Sequence, residues 1–209
     1  MKTGCYIAFA GIDGSGKTTQ AALVSDLLAH RGVSNTLREG KEDFVISAST
    51  ALAERYGCTS GRDYLGEEGY LFCLSFDVLR EVTKNMSLAQ QGAVVIASRS
   101  PFCRIAGAMR RQVPNVGKAE QIMLCRGTPD LLIWLDTDPE IARQRIEQRS
   151  FEAPPIDILV RYRDAFSRLL SNYDHVTIQD HGTEPAILTQ RIASLIMKKL
   201  ADSASMGRD

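Results

Sequence analysis

Eight consecutive residues, Gly11-Ile12-Asp13-Gly14-Ser15-Gly16-Lys17-Thr18, place glycines, a lysine and a hydroxyl at the spacing GxxxxGK[ST]. Each fixed position has a chemical reason. The glycines let backbone N–H groups turn inward around phosphate oxygens without a Cβ in the way. A helix beginning at the end of the loop adds partial positive charge. A lysine at position 17 reaches the β- and γ-phosphates of a nucleoside triphosphate, and a threonine at position 18 ligates Mg²⁺. The donor contacts expected from this stretch are Gly11, Asp13, Gly14, Ser15, Gly16, Lys17, Thr18 and Thr19, with Thr18 as the metal ligand.

Such a loop works only between a strand and a helix. Tyr6 to Ala10 is a short apolar run of strand formers, and Lys17 to Arg31 reads as a helix stopped by Gly32. Val33 to Arg38 reads as a second strand, and a helix is expected around Ile46 to Tyr56. Cys58 to Gly66 reads as a loop, and Glu67 to Gln91 as a long helix ending at Gly92. Ala93 to Ala97 and Leu131 to Leu135 are continuous apolar runs, as in strands buried on both faces. Asp138 is placed to cap a helix opening at Pro139 and running to about Arg149. A Pro-containing loop from Phe151 to Pro155 precedes a helix from Ile156 to Ser171. His175 to Ile178 reads as a weaker strand, and Glu184 to Leu200 as an amphipathic helix. Alternating strands and helices imply a parallel sheet covered on both faces. The domain expectation is one kinase-like unit over residues 1–200 and a disordered tail over 201–209.

Bulk properties exclude several classes. Lysines plus arginines equal aspartates plus glutamates, 25 against 25, so there is no basic excess for nucleic acid or a membrane surface. No run approaches the ~20 apolar residues of a membrane helix, and no signal-peptide pattern opens the chain. Five cysteines, Cys5, Cys58, Cys73, Cys103 and Cys125, form no CxxC pair and read as buried free thiols. The expectation is a soluble cytoplasmic protein.

The run IAFAGIDGSGKTTQ resembles the opening of thymidylate kinases, a branch of the nucleoside monophosphate kinases. Other landmarks follow in order. Leu37-Arg38-Glu39-Gly40 is similar to the family's arginine–glutamate–proline turn without its proline. Val94 to Arg99 is similar to the strand ending in an aspartate–arginine pair, with Ser98 in the aspartate's place. Pro129 to Asp136, the Pro139-Glu140 helix with Arg145 and Arg149, and Val176 to Asp180 resemble the fourth strand, the lid helix and the last strand.

The resemblance implies a three-layer P-loop NTPase fold, with a five-stranded parallel sheet flanked by helices and a short lid. It implies transfer of the ATP γ-phosphoryl group to a (deoxy)nucleoside 5′-monophosphate, with Mg²⁺ as cofactor, and a homodimer. By the same match Lys17, Arg99, Arg145 and Arg149 are the catalytic cations. Arg38 holds the acceptor phosphate with Arg99, and Asp13 faces the acceptor's 3′-hydroxyl. Two alignments of the base-reading helix stay open: counting back from Arg99 selects Asp77, and the phenylalanine–xxx–arginine pattern selects Phe76 and Arg80. An aspartate accepts from base amino groups, whereas an arginine donates to base carbonyls.

Two other readings stand beside this one. Ser98-Arg99-Ser100 resembles the glutamate–arginine–serine triplet of deoxynucleoside kinases, whose 5′-hydroxyl acceptor needs a general base; Glu39 is the candidate. Loss of the strand-end aspartate also fits a nucleotide-binding protein without turnover. With Ser98 at that position, Mg²⁺ rests on Thr18, phosphate oxygens, water and one of Asp13, Glu39 or Asp136.

Overall fold

A computed structural model describes residues 4–40, 44–149 and 152–206. Five strands form one parallel sheet: β1 (Cys5–Ala10), β2 (Asn35–Arg38), β3 (Val94–Ala97), β4 (Leu131–Thr137) and β5 (Val176–Asp180). Their order is β2-β3-β1-β4-β5. The central strand pairs on both sides, Ile7 with Ile96 and with Leu131. Ligand crevices in such sheets lie beyond the strand carboxyl ends, where the order reverses. The glycine loop, Arg38, Arg99, Asp136 and Asp180 all fall at those ends.

Helices among the described residues are α1 (Lys17–His30), α2 (Phe44–Tyr56), α3 (Gly61–Gln90), α4 (Pro101–Arg110), α5 (Val116–Leu124), α6 (Pro139–Glu147), α7 (Ile156–Leu170) and α8 (Pro185–Met206). The two-residue period of β1 divides them between two cores. Cys5, Ile7 and Phe9 face a cluster with Val24 and Leu28 of α1 and Ile192 and Ile196 of α8. Tyr6, Ala8 and Ala10 face the other, with Leu74 of α3, Phe102 and Ile105 of α4 and Phe166 of α7. Burial of β1 on both faces explains its unbroken apolar run.

Most expected elements stand within a residue or two of their sequence limits, and four differences have physical causes. Helix α3 starts at Gly61 rather than Glu67. Ser60 caps it by accepting from the Asp63 N–H at 3.2 Å, and Gly66 interrupts it with φ 71° and ψ 157°. Helices α4 and α5 fill the stretch between β3 and β4, for which no element is expected from sequence; seven of the ten α4 residues are buried. Helix α8 extends to Met206, beyond the expected end at Leu200, and residues 207–209 of the expected tail lie outside the described residues. Of the cysteines only Cys5 and Cys103 are buried, whereas Cys73 and Cys125 are exposed. The loop expected at Phe151 to Pro155 is described from residue 152 onward.

Candidate active site

The glycine loop leaves β1 and enters α1 at Lys17, as its spacing requires. Gly14 has φ 80°, and a Cβ there would lie 2.2 Å from the Ala142 carbonyl oxygen. The loop is therefore pressed against the backbone of α6, and only glycine fits both the conformation and the gap. The Lys17 ammonium is buried. It donates to the Gly11 carbonyl at 2.9 Å, the Ile12 carbonyl at 2.7 Å and Ser15 Oγ at 3.3 Å. Burial pushes its pKa down, and the nearby Arg99 charge acts the same way against Cys103 and Asp13. All three acceptors are neutral, so the positive charge is left for an anion at the loop.

A cleft of about 370 Å³ opens beside the loop, lined by Ser15, Gly16, Thr19, Arg145, Arg149 and Asp180 among others. The four-residue spacing of Arg145 and Arg149 does put both on one face of the α6 segment. Arg149 Nη2 reaches Thr19 Oγ1 at 3.5 Å. Arg145, however, is bound to Asp180 at the end of β5, Nη1 to Oδ2 at 2.6 Å and Nη2 to Oδ1 at 3.3 Å. Asp180 also accepts the Gly182 and Thr183 N–H groups, each at 3.1 Å. Burial raises the Asp180 pKa, but Arg145 and these two N–H groups outweigh it, and the carboxyl titrates below its ordinary range. The two arginines are thus placed along this cleft, with Arg145 anchored to the sheet.

A second cleft, of about 160 Å³, lies beside Asp13 and Arg99. It unites the loop carboxylate and the strand-end arginine that sequence assigned to the acceptor. Tyr70, Leu71 and Leu74 of α3 form one wall, Cys103, Arg104 and Gly107 of α4 another, and Tyr162 of α7 closes it. The Tyr162 hydroxyl donates to the Cys103 carbonyl at 2.8 Å, and burial pushes its pKa well up. Arg99 has no ion pair among the described residues. Sequence reasoning missed Arg62, Arg104, Arg110, Arg111, Tyr70 and Tyr162 here. The available signal was the spacing of Arg104, Gly107 and Arg111 on one face behind Pro101.

The remaining sequence-assigned acceptor residues do not line this cleft. Arg38 pairs with Glu81 of α3, Nη2 to Oε2 at 2.6 Å. Glu39 is exposed beyond β2, and its carbonyl accepts from the Ser98 hydroxyl at 2.9 Å. Ser98 thus joins the ends of β2 and β3, a bond that an aspartate carboxylate cannot donate. Asp77 is buried, accepts the Val45 N–H at 2.8 Å and lies 3.4 Å from Arg80. It caps the start of α2 from across the helix pair, the ion-pair role its three-residue spacing allows. Phe76 is exposed and packs edge-on against Phe72. The wall residues Leu71 and Leu74 stand one to two turns earlier on α3.

Candidate metal ligands are few. No group of three or more His, Cys, Asp or Glu side chains comes together among the described residues. Asp136 is taken by Arg163, at 2.5 and 2.9 Å, and by Gln179 at 2.9 Å. Thr18 is exposed at the first turn of α1. Mg²⁺ characteristically takes one or two protein ligands and completes its shell with substrate phosphates and water, so a lone hydroxyl at the loop fits that ion. No helix among the described residues is long and apolar enough to cross a membrane.

The thymidylate kinase family model matches residues 9–192. A probable thymidylate kinase of Archaeoglobus fulgidus is 30% identical over 182 residues, covering 86% of this chain and 87% of that protein. Probable thymidylate kinase 1 of Saccharolobus solfataricus is 29% identical, covering 93% of this chain and 97% of its own length. The thymidylate kinase of Acaryochloris marina is 26% identical, with 95% and 98% covered. The match includes the glycine loop, the strand-end arginine and the α6 arginines, the same parts that border the two clefts.

Proposed function

The chain belongs to the thymidylate kinase family of P-loop kinases, and from that premise we propose that it moves the ATP γ-phosphoryl group to the 5′-phosphate of a (deoxy)nucleoside monophosphate, dTMP or a related or modified nucleotide. The observation that carries this reading is the glycine loop around Lys17, which contributes lining residues to two clefts, Ser15 and Gly16 to one and Asp13 to the other. Thr19 and Arg149 border one, and Asp13 and Arg99 border the other.

In this reading an acceptor phosphate oxygen attacks the γ-phosphorus of ATP. The new P–O bond forms as the bond to the β,γ-bridging oxygen breaks, releasing ADP and a nucleoside diphosphate. The acceptor oxygen is already anionic, so no base is needed, and cations must screen two polyanions instead. Lys17 neutralises the transferring group, Arg99 holds the acceptor phosphate, and Arg149 closes from the donor side. Arg145 supports that side through Asp180. Arg38 joins only by exchanging Glu81 for the acceptor phosphate. Asp13 orients the acceptor sugar. Mg²⁺, held by Thr18 and the ATP phosphates, would neutralise the β- and γ-phosphate charge.

A 5′-hydroxyl acceptor is the weaker reading. It needs a carboxylate base, and Glu39 does not line the acceptor cleft, where Asp13 is the one lining carboxylate among the described residues. A binding protein without turnover is disfavoured by an Arg99 that has no ion pair among the described residues and lies beside the loop. All five cysteines are free thiols, in keeping with a cytoplasmic site of action. The exposed Phe44, Phe72 and Phe76 of α2 and α3 are in keeping with a homodimer, which sedimentation tests.

ADP release from Mg-ATP, measured across nucleosides and monophosphates, tests the proposal. It expects turnover with a monophosphate, abolished in Lys17→Ala. Turnover with nucleosides alone would transfer the chain to the hydroxyl-acceptor class.

A further inference from the structure

The acceptor cleft holds more positive charge than a monophosphate uses. Five arginines line it, Arg62, Arg99, Arg104, Arg110 and Arg111, with Asp13 the one lining carboxylate among the described residues and Glu67 paired with two of the arginines from outside the lining. Arg99 follows β3 and lines the cleft with Asp13 of the glycine loop. Arg110 and Arg111 come from the far end of α4, whose backbone runs about 13 Å from Pro101 at the helical rise of 1.5 Å per residue. Arg62 joins them from the first turn of α3.

The distant group is built into the protein. The Arg62 guanidinium lies 4.9 Å from the centre of the Tyr70 ring, and that of Arg110 lies 5.1 Å from the centre of Tyr162. Glu67 serves two of the three cations, Arg111 at 3.1 Å and Arg62 at 3.9 Å. Arg110 has no carboxylate partner among the described residues, and its Nε is buried with no hydrogen-bond acceptor. A guanidinium without a counter-ion favours an anion in the cleft that it lines. Stacking on tyrosine accounts for the position of the guanidinium but leaves its charge uncompensated.

With the acceptor phosphate at Arg99, the base end of the nucleotide meets Arg62, Arg110 and Arg111. A neutral base presents carbonyl oxygens, for which one donor suffices. A carboxylate matches the planar guanidinium fork and takes its charge as well. We propose that Arg62, Arg110 and Arg111 form a second anion subsite, and that the acceptor is a nucleoside 5′-monophosphate carrying a carboxylate on its base. This assignment rests on the monophosphate-kinase reading above.

The test is calorimetric binding of three probes to the full chain: dTMP, 5-carboxy-dUMP and thymidine 3′,5′-bisphosphate. ADP release from Mg-ATP is measured alongside with dTMP and 5-carboxy-dUMP. The subsite expects 5-carboxy-dUMP to bind about tenfold or more tightly than dTMP. Arg110→Gln should collapse that ratio to within about twofold, and Arg62→Gln, at a more exposed position, should reduce it in a chain whose fold is undisturbed. Equal or weaker binding of 5-carboxy-dUMP overturns the subsite, and accompanying ADP release from dTMP leaves the kinase reading intact. A gain confined to the 3′,5′-bisphosphate moves the second anion to the sugar and overturns the base-end assignment. Carboxylate-dependent binding without ADP release from either nucleotide supports the subsite and overturns the kinase reading.

Discussion

Arg145 of α6 grips Asp180 at the carboxyl end of β5 through two hydrogen bonds, 2.6 and 3.3 Å long, with the carboxylate almost fully buried. Removing the arginine leaves a buried charge with two backbone donors and the Thr137 hydroxyl at 3.4 Å. Arg145→Met is expected to cost about 3 kcal/mol at pH 7, read from urea unfolding. Asp180 titrates below the ordinary aspartate value of 3.8 in the folded protein. The folded state therefore binds fewer protons than the unfolded state just below that pH. The stabilisation is fully present above the unfolded value and lost as pH falls through the lower folded one. The difference between wild type and Arg145→Met should shrink as pH falls below about 3.8. A difference that does not change with pH would assign the loss to packing alone.

Lys17 is expected to act on the transferring group and not only on ATP affinity. Lys17→Ala should lower the rate of ADP release at saturating ATP by about a hundredfold or more. Steady-state kinetics separate the two effects. A rise in the ATP KM with kcat retained would mean that the ammonium contributes equally to the ground state and the transition state.

The parts of the site that were legible in sequence are those whose chemistry is local. The glycine loop and the Asp138 cap, whose carboxylate accepts the Glu140 N–H at 2.9 Å, each lie within a few residues. Buried strands were legible because both faces of β1 and β3 are covered. The acceptor side was not, because its wall is assembled from α3, α4 and α7. Arg38 meets Glu81 across 43 positions and Asp77 meets Val45 across 32, separations at which a one-turn ambiguity on α3 cannot be resolved by counting. Family resemblance named Arg99, which lines the cleft beside Asp13. It offered no sign that Arg62, Arg110 and Arg111 converge on the same cleft.

Gly14 and Gly16 separate two costs of a methyl group. Both have positive φ, 80° and 84°, but a Cβ on Gly14 meets the Ala142 carbonyl at 2.2 Å, whereas one on Gly16 meets nothing within 4 Å. Gly16→Ala should cost about 1–2 kcal/mol, the penalty of the left-handed conformation. Gly14→Ala carries that penalty together with displacement of α6 from the loop, and should be the less stable of the two by thermal unfolding. It should also weaken ATP binding more, because α6 carries Arg145 and leads to Arg149. Equal losses would mean that the loop and α6 move apart without cost.

Asp77 and Arg99 make the sharpest contrast on the acceptor side. Asp77 holds the first turn of α2 through the Val45 N–H, whereas Arg99 lines the cleft with no ion pair among the described residues. Asp77→Ala removes a buried acceptor and should cost about 1–2 kcal/mol in stability, with a shift of a few-fold at most in the acceptor KM. Arg99→Ala should leave the unfolding midpoint within about 0.5 kcal/mol, as expected for an exposed side chain. It should raise the acceptor KM or lower kcat/KM by about tenfold or more, since a charge-assisted bond to phosphate is lost. Unfolding curves and acceptor-dependent ADP release on the two variants check both halves. If Asp77→Ala shifts the acceptor KM as far as Arg99→Ala does, the base is read from α3 one turn beyond Leu74, and the cleft beside Tyr70 holds only the sugar and phosphate.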